Sequence, residues 1–191
     1  MSRAAVTSTP INSVLANRWS PRSYDASKSL TKADLTAAFE AARWSPSANN
    51  SQEWRYIVGF RGDATFETIV GTLAGWNSAW APQAGALVVA IAETTNADGQ
   101  ANPYALYDLG QSVAHFSVQA HADGLYVHQV AGTDVEALKT AFNLPATWDA
   151  FTVFTVGHLG DADALPEALA DREKAPRTRR DLDETVFYGA L

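Results

Sequence analysis

The sequence predicts an α/β or α+β sandwich folded as one domain, and three observations lead there. Segments of helical and strand period alternate in the order α-β-α-β-α-β-α-β, followed by a basic tail. Residues 86–92 read ALVVAIA, a continuous apolar run of the kind expected in a strand buried on both faces. The helical segments are apolar along one stripe only, so each has a face to bury against a neighbour.

Bulk properties narrow the function classes. The chain has 191 residues, 47% of them hydrophobic and 18% charged, enough for a real core and unlike a disordered chain. No apolar run approaches the ~20 residues of a membrane helix, and residues 1–7 lack the apolar core of a secretion signal. Zero cysteines exclude disulfides, Fe–S clusters and thiol nucleophiles, and fit a cytoplasmic protein. A net charge of −7 argues against non-specific binding to nucleic acid or acidic membrane. Positive charge is nevertheless concentrated at two remote places. Arg18 and Arg22 lie near the start; Arg172, Lys174, Arg177, Arg179 and Arg180 crowd near the end. Taken singly each is a solvated basic segment; brought together they would surround an anion.

In order, residues 1–12 are small and polar and read as a loose arm. A short helix is expected over Ile11–Ala16, then an extended piece interrupted by Pro21. Leu30 to Trp44 is a helix, with Thr31 as N-cap, Asp34 completing a near capping box, and Leu30 and Leu35 as a hydrophobic staple. Trp54–Phe60 alternates as a strand. Asp63 caps a helix carrying Phe66, Ile69, Val70 and Leu73. The Trp76–Trp80 segment is irregular and aromatic, fit either for the core or for a pocket wall. Asn102 and Pro103 open the longest helix, which Gly124 ends. A strand at Leu125–Val130 follows, then a helix with a Thr133–Glu136 capping box. A strand at Phe151–Leu159 and a short helix near Pro166–Arg172 complete the order. Val186-Phe187-Tyr188 ends a charged tail with apolar residues that need a surface, either on this domain or on a second subunit.

Two helical and strand segments are joined by Ala41–Trp54. Pro46 must stop the preceding helix, and Ser47, Asn49, Asn50, Ser51 and Gln52 then crowd a short loop. Such residues are ordinary turn formers, and they are also the amides and hydroxyls that bind a polar heteroaromatic ligand. His115, His121, His128 and His158 show no metal-ligand spacing, so no metal site is expected.

Three separated motifs resemble the nitroreductase family of FMN-dependent oxidoreductases. They are Arg18-Trp19-Ser20-Pro21-Arg22-Ser23-Tyr24, the stretch Ala41–Trp54, and Arg177–Glu184 with Val186-Phe187-Tyr188. Tyr107–Gly110 and Gly124–Gly132 are similar to the family's central helix and following strand, so the likeness spans residues 14–190. The resemblance implies a single nitroreductase-like domain over 1–191, with an α+β three-layer fold, a mixed central sheet flanked by helices, and a C-terminal tail that crosses a homodimer. It implies FMN at each end of the dimer interface. Arg18, Ser20 and Arg22, with Trp19 beside them, would hold the phosphate and ribityl chain, and Arg177 and Arg179 would approach the phosphate. Ser47, Asn50 and Gln52 would come from the partner subunit to the isoalloxazine and ribityl groups. Backbone groups of Gln129, Ala131 and Gly132 would lie over the ring. The implied activity is ping-pong hydride transfer from NADH or NADPH, by way of FMN, to nitroaromatic, quinone or similar electron-poor molecules. No catalytic acid or base is implied, and the chain has no nicotinamide-binding glycine fingerprint. A flavin-storage protein, or an FMN reductase with a narrow aldehyde or enone substrate, would use the same residues. The chain leaves the family pattern at Trp19, Ala48, Glu53 and Asp181. Glu53 is the sharpest departure, because it brings negative charge to the flavin loop.

Overall fold

A computed structural model of the chain describes residues 3–96 and 98–189. Strands β1 (Trp54–Phe60), β2 (Ala86–Glu93), β3 (Tyr126–Val130) and β4 (Trp148–Gly157) form one sheet in the order β1-β2-β4-β3. Helices α1 (Ser13–Asn17), α2 (Lys32–Arg43), α3 (Ala64–Val70), α4 (Ala105–Ala122), α5 (Val135–Ala141) and α6 (Glu167–Lys174) surround it.

The expected three layers are present. On one face α2 and α4 cover Val88, Ala90, Phe154, Val156 and Val127; on the other, α3, α5 and α6 cover Leu87, Val89, Ile91 and Val153. Because β2 is covered on both faces, its apolar run is continuous rather than alternating. On the α4 face Phe116 packs against Phe39 and Phe154, with ring centroids 4.7 and 5.0 Å apart.

The sheet itself differs from the mixed one expected. All three strand pairs, β1–β2, β2–β4 and β3–β4, are antiparallel. Strands β2 and β3 do run the same way and are joined by the crossover helix α4. Strand β4 lies between them, so this is a split β-α-β unit and its parallel strands never touch.

Local signals held where short-range hydrogen bonds decide the outcome. The Asp34 carboxylate accepts from both the N–H and the hydroxyl of Thr31 at 2.7 Å, which fixes the start of α2. Asp63 accepts from the Phe66 N–H at 2.7 Å at the start of α3. Gly124 ends α4 in the left-handed region, at φ 81°. Other boundaries moved. Helix α1 starts at Ser13, because the Asn12 side chain caps it by accepting from Val14. Asp134, rather than Thr133, caps α5, accepting from the Ala137 N–H at 3.0 Å. An Asp one position on outcompetes the Thr, whose hydroxyl is buried without a partner. Strand β4 begins at Trp148, opposite Glu93, earlier than the apolar pattern showed.

Among the described residues after Ala175, the tail carries one short turn, at Leu182–Glu184. Leu182, Phe187 and Tyr188 are 59%, 53% and 93% exposed, so the tail does not dock its apolar residues on its own core. Trp80 is fully buried and belongs to the core; Trp76 is exposed beneath Arg172.

Phe116→Ala is expected to cost about 3–5 kcal/mol, the range for emptying a buried aromatic site. A urea denaturation midpoint unchanged from wild type would contradict the packing described.

Candidate active site

The chain from Arg18 to Tyr24 is pinned to the sheet end where β3 starts and β4 finishes. Trp19 meets Tyr126 edge-on at 6.2 Å. Tyr24 is buried and shares a 2.6 Å hydrogen bond with the Thr155 hydroxyl; burial raises its pKa far above the ordinary phenol value. Gly157 and Gly160 make room for it: a Cβ on either would lie 2.6 or 2.5 Å from Tyr24 atoms. Between these anchors, Glu173 on α6 does the positioning. Its buried carboxylate accepts the Arg22 N–H at 2.9 and 3.0 Å and the Ser23 N–H at 3.1 Å. Arg22 Nη1 lies 3.8 Å from the same carboxylate.

This anchoring closes a cavity of about 200 Å³ lined by Arg3, Arg18, Arg22, Arg172, Arg177 and Arg179, with Trp19 and Ser20. The two remote basic segments therefore do meet, and within one chain. Among the described residues, Arg22–Glu173 is the only ion pair made by any of the six arginines. Burial and the Arg179 charge lower the pKa of Arg18. Burial, then Arg18, Arg179 and Arg3, lower that of Arg177. Burial is the larger cause in both, and the neighbouring guanidinium charges push the same way.

Arg177 does something more specific than was expected of it. Its Nη1 donates to the carbonyls of Arg3 and Ala16 at 2.6 and 2.9 Å, and its Nη2 to that of Arg18 at 2.9 Å. With most of its fork committed, it is a clasp holding the arm and the Arg18 segment to the tail. Ala5 reinforces this by donating to the Ala16 carbonyl at 2.8 Å, so the arm is tied down here.

Ser47, Asn50 and Gln52 lie elsewhere. The loop leads into Trp54, which pairs through Ala92 with Asp149 at the start of β4; the arginine cavity adjoins Tyr126, opposite Gly157 at its end. Eight residues of strand separate those levels, about 27 Å at 3.4 Å per residue. No single small ligand is closed by both groups of one chain. The loop is held in an unusual shape, with Asn49, Asn50 and Gln52 at φ 53°, 56° and 50°. Asn tolerates that region and Gln less so, which places about 1 kcal/mol or more of strain here. Side chains beneath sustain it. Buried Asp108 on α4 accepts from the Ala48 N–H at 2.8 Å, and the Ser47 hydroxyl accepts from the Gln52 N–H at 3.1 Å. Asn50 and Gln52 are left exposed.

Glu53 explains itself in the same way. It is buried, accepting from the Ser51 hydroxyl at 2.5 Å and from Asn102 Nδ2 at 3.1 Å. Its charge ties the loop to the start of α4 and does not face outward.

Gln129 and Ala131 are exposed at the end of β3. The Gly132 carbonyl is already occupied, accepting from the Ala74 N–H at 3.0 Å and Asn77 Nδ2 at 3.2 Å. Sequence reasoning missed Arg3, Glu173 and Asp108 as positioning residues. Arg3 lay in a segment without pattern, and Glu173 fell just beyond the short helix expected near Pro166–Arg172. Asp108 alone carried a signal, an acid on the buried stripe of α4. No group of three or more His, Cys, Asp or Glu among the described residues is placed to hold a metal.

The profile of the Nitroreductase family matches residues 15–69. An uncharacterised 15.4 kDa protein of Mycolicibacterium smegmatis is 38% identical over 143 residues, 71% of this chain and 95% of that one. A crystal structure of an oxidoreductase containing FMN is 27% identical and superimposes with a TM-score of 0.93, covering 100% of this chain and 98% of its own. The chain belongs to the nitroreductase family. A nitroreductase family protein of Clostridium difficile, 22% identical with a TM-score of 0.72 over 93% of this chain and 97% of that one, shares the fold. The major NAD(P)H-flavin oxidoreductase of Aliivibrio fischeri is 45% identical over 49 residues, 26% of this chain and 22% of that one.

Two outcomes follow from the positioning bonds. Glu53→Ala leaves Asn102 and Ser51 without their acceptor and is expected to cost roughly 2–3 kcal/mol, with Glu53→Gln costing less; equal urea midpoints for both variants and wild type would refute this. His128 is packed on Trp80 at 4.6 Å, and its Nδ1–H donates to the Pro21 carbonyl at 2.9 Å. Burial, assisted by Arg22, pulls its pKa from 6.5 down to about 4 despite that bond. The unfolded chain therefore binds the extra proton first. Stability is full above pH 6.5 and falls, by up to about 3 kcal/mol, as pH drops toward 4. His128→Gln should flatten that part of the pH–stability curve; a curve of wild-type slope would remove His128 as the cause.

Proposed function

We propose that the protein is an FMN-dependent oxidoreductase that takes reducing equivalents from NADH or NADPH. By a ping-pong sequence it passes them to nitroaromatic, quinone or similar electron-poor small molecules. The observation that carries this reading is the convergence of residues 18–22 and 177–179 on one arginine-lined cavity. A phosphate fits it: guanidinium forks bind phosphate oxygens strongly, and the cluster lacks a compensating anion. The FMN contained in the 27%-identical oxidoreductase and the NAD(P)H in the name of the Aliivibrio relative support the same choice.

In this reading the forks of Arg18, Arg22 and Arg179 and the Ser20 hydroxyl would hold the phosphate, with Trp19 alongside. Arg177 keeps the arm and tail in place around it. Ser47, Asn50 and Gln52 would reach the flavin of a neighbouring subunit, since their own cavity lies at the far end of the sheet. That arrangement calls for a homodimer, and the uncovered Leu182, Phe187 and Tyr188 give the tail a reason to cross to the partner. The flavin, when bound, supplies the hydride-accepting and hydride-donating chemistry. The protein's residues bind and orient it, and no side chain is assigned as an acid or base.

The test is direct. The purified protein should be yellow or bind added FMN, and should bleach anaerobically with NADH or NADPH and recover with a nitroaromatic or quinone. A colourless protein that binds no FMN would end the reading. Arg22→Ala and Arg179→Ala should each weaken FMN binding about tenfold or more, the effect of losing one charge-assisted bond. Arg179→Ala should leave the urea midpoint nearly unchanged, whereas Arg22→Ala also lowers it by removing the partner of buried Glu173. Unchanged affinity in both variants would remove the phosphate assignment.

A further inference from the structure

The arginine cavity holds more charge than one flavin phosphate can balance. A phosphate monoester carries at most two negative charges near neutral pH. Six guanidinium groups line the cavity, no carboxylate does, and Glu173 answers only Arg22. About three positive charges are left over, in a chain whose net charge is −7. An acidic protein has no general reason to gather this many cations.

The surplus also has a location. Arg18, Arg22 and Arg179, with Ser20, come from the two segments assigned above to the flavin phosphate. Arg3 and Arg172 enter from other elements, the N-terminal arm and the last turn of α6. Arg3 is fixed in place: its guanidinium lies over the Trp19 ring at 4.3 Å and one nitrogen donates to the Ala175 carbonyl. Its other terminal nitrogen, Nη1, is buried with no partner. A buried charged donor left unpaired is costly, so a missing acceptor is the simplest account of it. Arg172 lies against the Trp76 ring, 6.0 Å from its centroid. Arg3, Trp19 and Arg177 also line an adjoining groove of about 500 Å³, bounded by Leu159, Ala162 and Pro176 and carrying the carboxylates of Asp161, Asp163 and Glu173.

We propose that Arg3 and Arg172 form a second phosphoryl position in this cavity, beside the one assigned to the flavin mononucleotide phosphate. The proposal rests on that assignment for the first position. The second phosphoryl group can arrive in two ways. It can be the second phosphate of a flavin dinucleotide, whose nucleoside would enter the adjoining groove, or a phosphate on a separate ligand.

Inorganic pyrophosphate and orthophosphate are the probes, titrated by calorimetry into the flavin-free protein. Pyrophosphate should bind at least tenfold tighter than orthophosphate. Arg3→Ala should bring the two within about threefold, while leaving orthophosphate nearly unchanged. Arg180→Ala removes a neighbouring tail charge outside the cavity lining and should preserve the difference. Pyrophosphate binding no tighter than orthophosphate, or an equal effect of Arg3→Ala and Arg180→Ala, would overturn the proposal. FMN and FAD then distinguish the sources. An Arg3-dependent gain for FAD over FMN identifies the dinucleotide; Arg3-dependent phosphate binding by the FMN-loaded protein identifies a separate ligand. Failure of both flavins to bind would defeat the proposed function, and the pyrophosphate comparison would still read one position against two.

Discussion

Guanidinium groups repel one another, and a fold that packs six of them around one cavity must hold them there by other means. Three devices do so. Arg177 spends its fork on the carbonyls of Arg3, Ala16 and Arg18, converting one of the cations into a clasp. Trp19 offers its ring face to Arg3. Glu173, buried beneath, takes two backbone N–H groups of the Arg22–Ser23 turn and aims that segment at the cavity. The sheet supplies the rigid base, through the buried Tyr24–Thr155 bond and the two glycines that let Tyr24 approach. A bound anion would relieve the remaining repulsion, which is why the phosphate proposed above suits this end of the protein.

The other end of the sheet solves a different problem. The Ser47–Gln52 loop holds three residues in the left-handed region, and such strain persists only where the surroundings over-determine it. Asp108 and Glu53 are the buried groups that do this, each a carboxylate beneath the loop that accepts N–H or O–H donors from it. The result leaves amide side chains exposed on a fixed backbone. The loop lies remote from the arginine-lined cavity. In the proposed dimer it would supply one half of a site, and the tail with its uncovered aromatic residues would supply part of the interface.

The sequence by itself determined the helices, strands and chain order, because helix caps and apolar period are local: Asp34 and Asp63 act within three residues of the N–H groups they bind. It also determined that no thiol chemistry is available, and it placed the basic residues of 18–22 and 177–179 as a candidate anion site, which fold onto one cavity. What only the tertiary structure decided depends on contacts between distant residues. Neighbouring residues cannot tell that β4 inserts between β2 and β3, since strand pairing is a property of the whole sheet. Glu53 read as a charge at the mouth of a flavin loop, and only its burial against Ser51 and Asn102 shows it to be a tie. The resemblance implied only that Arg177 approaches a phosphate, and the three carbonyls around it show that it also acts as a clasp. Arg3 had no pattern at all; its place beside Trp19 is set by a contact with Ala175, 172 residues away in sequence. Charge could be counted along the chain, but which charges share one cavity was settled by folding, because electrostatic repulsion and hydrogen bonding act through space.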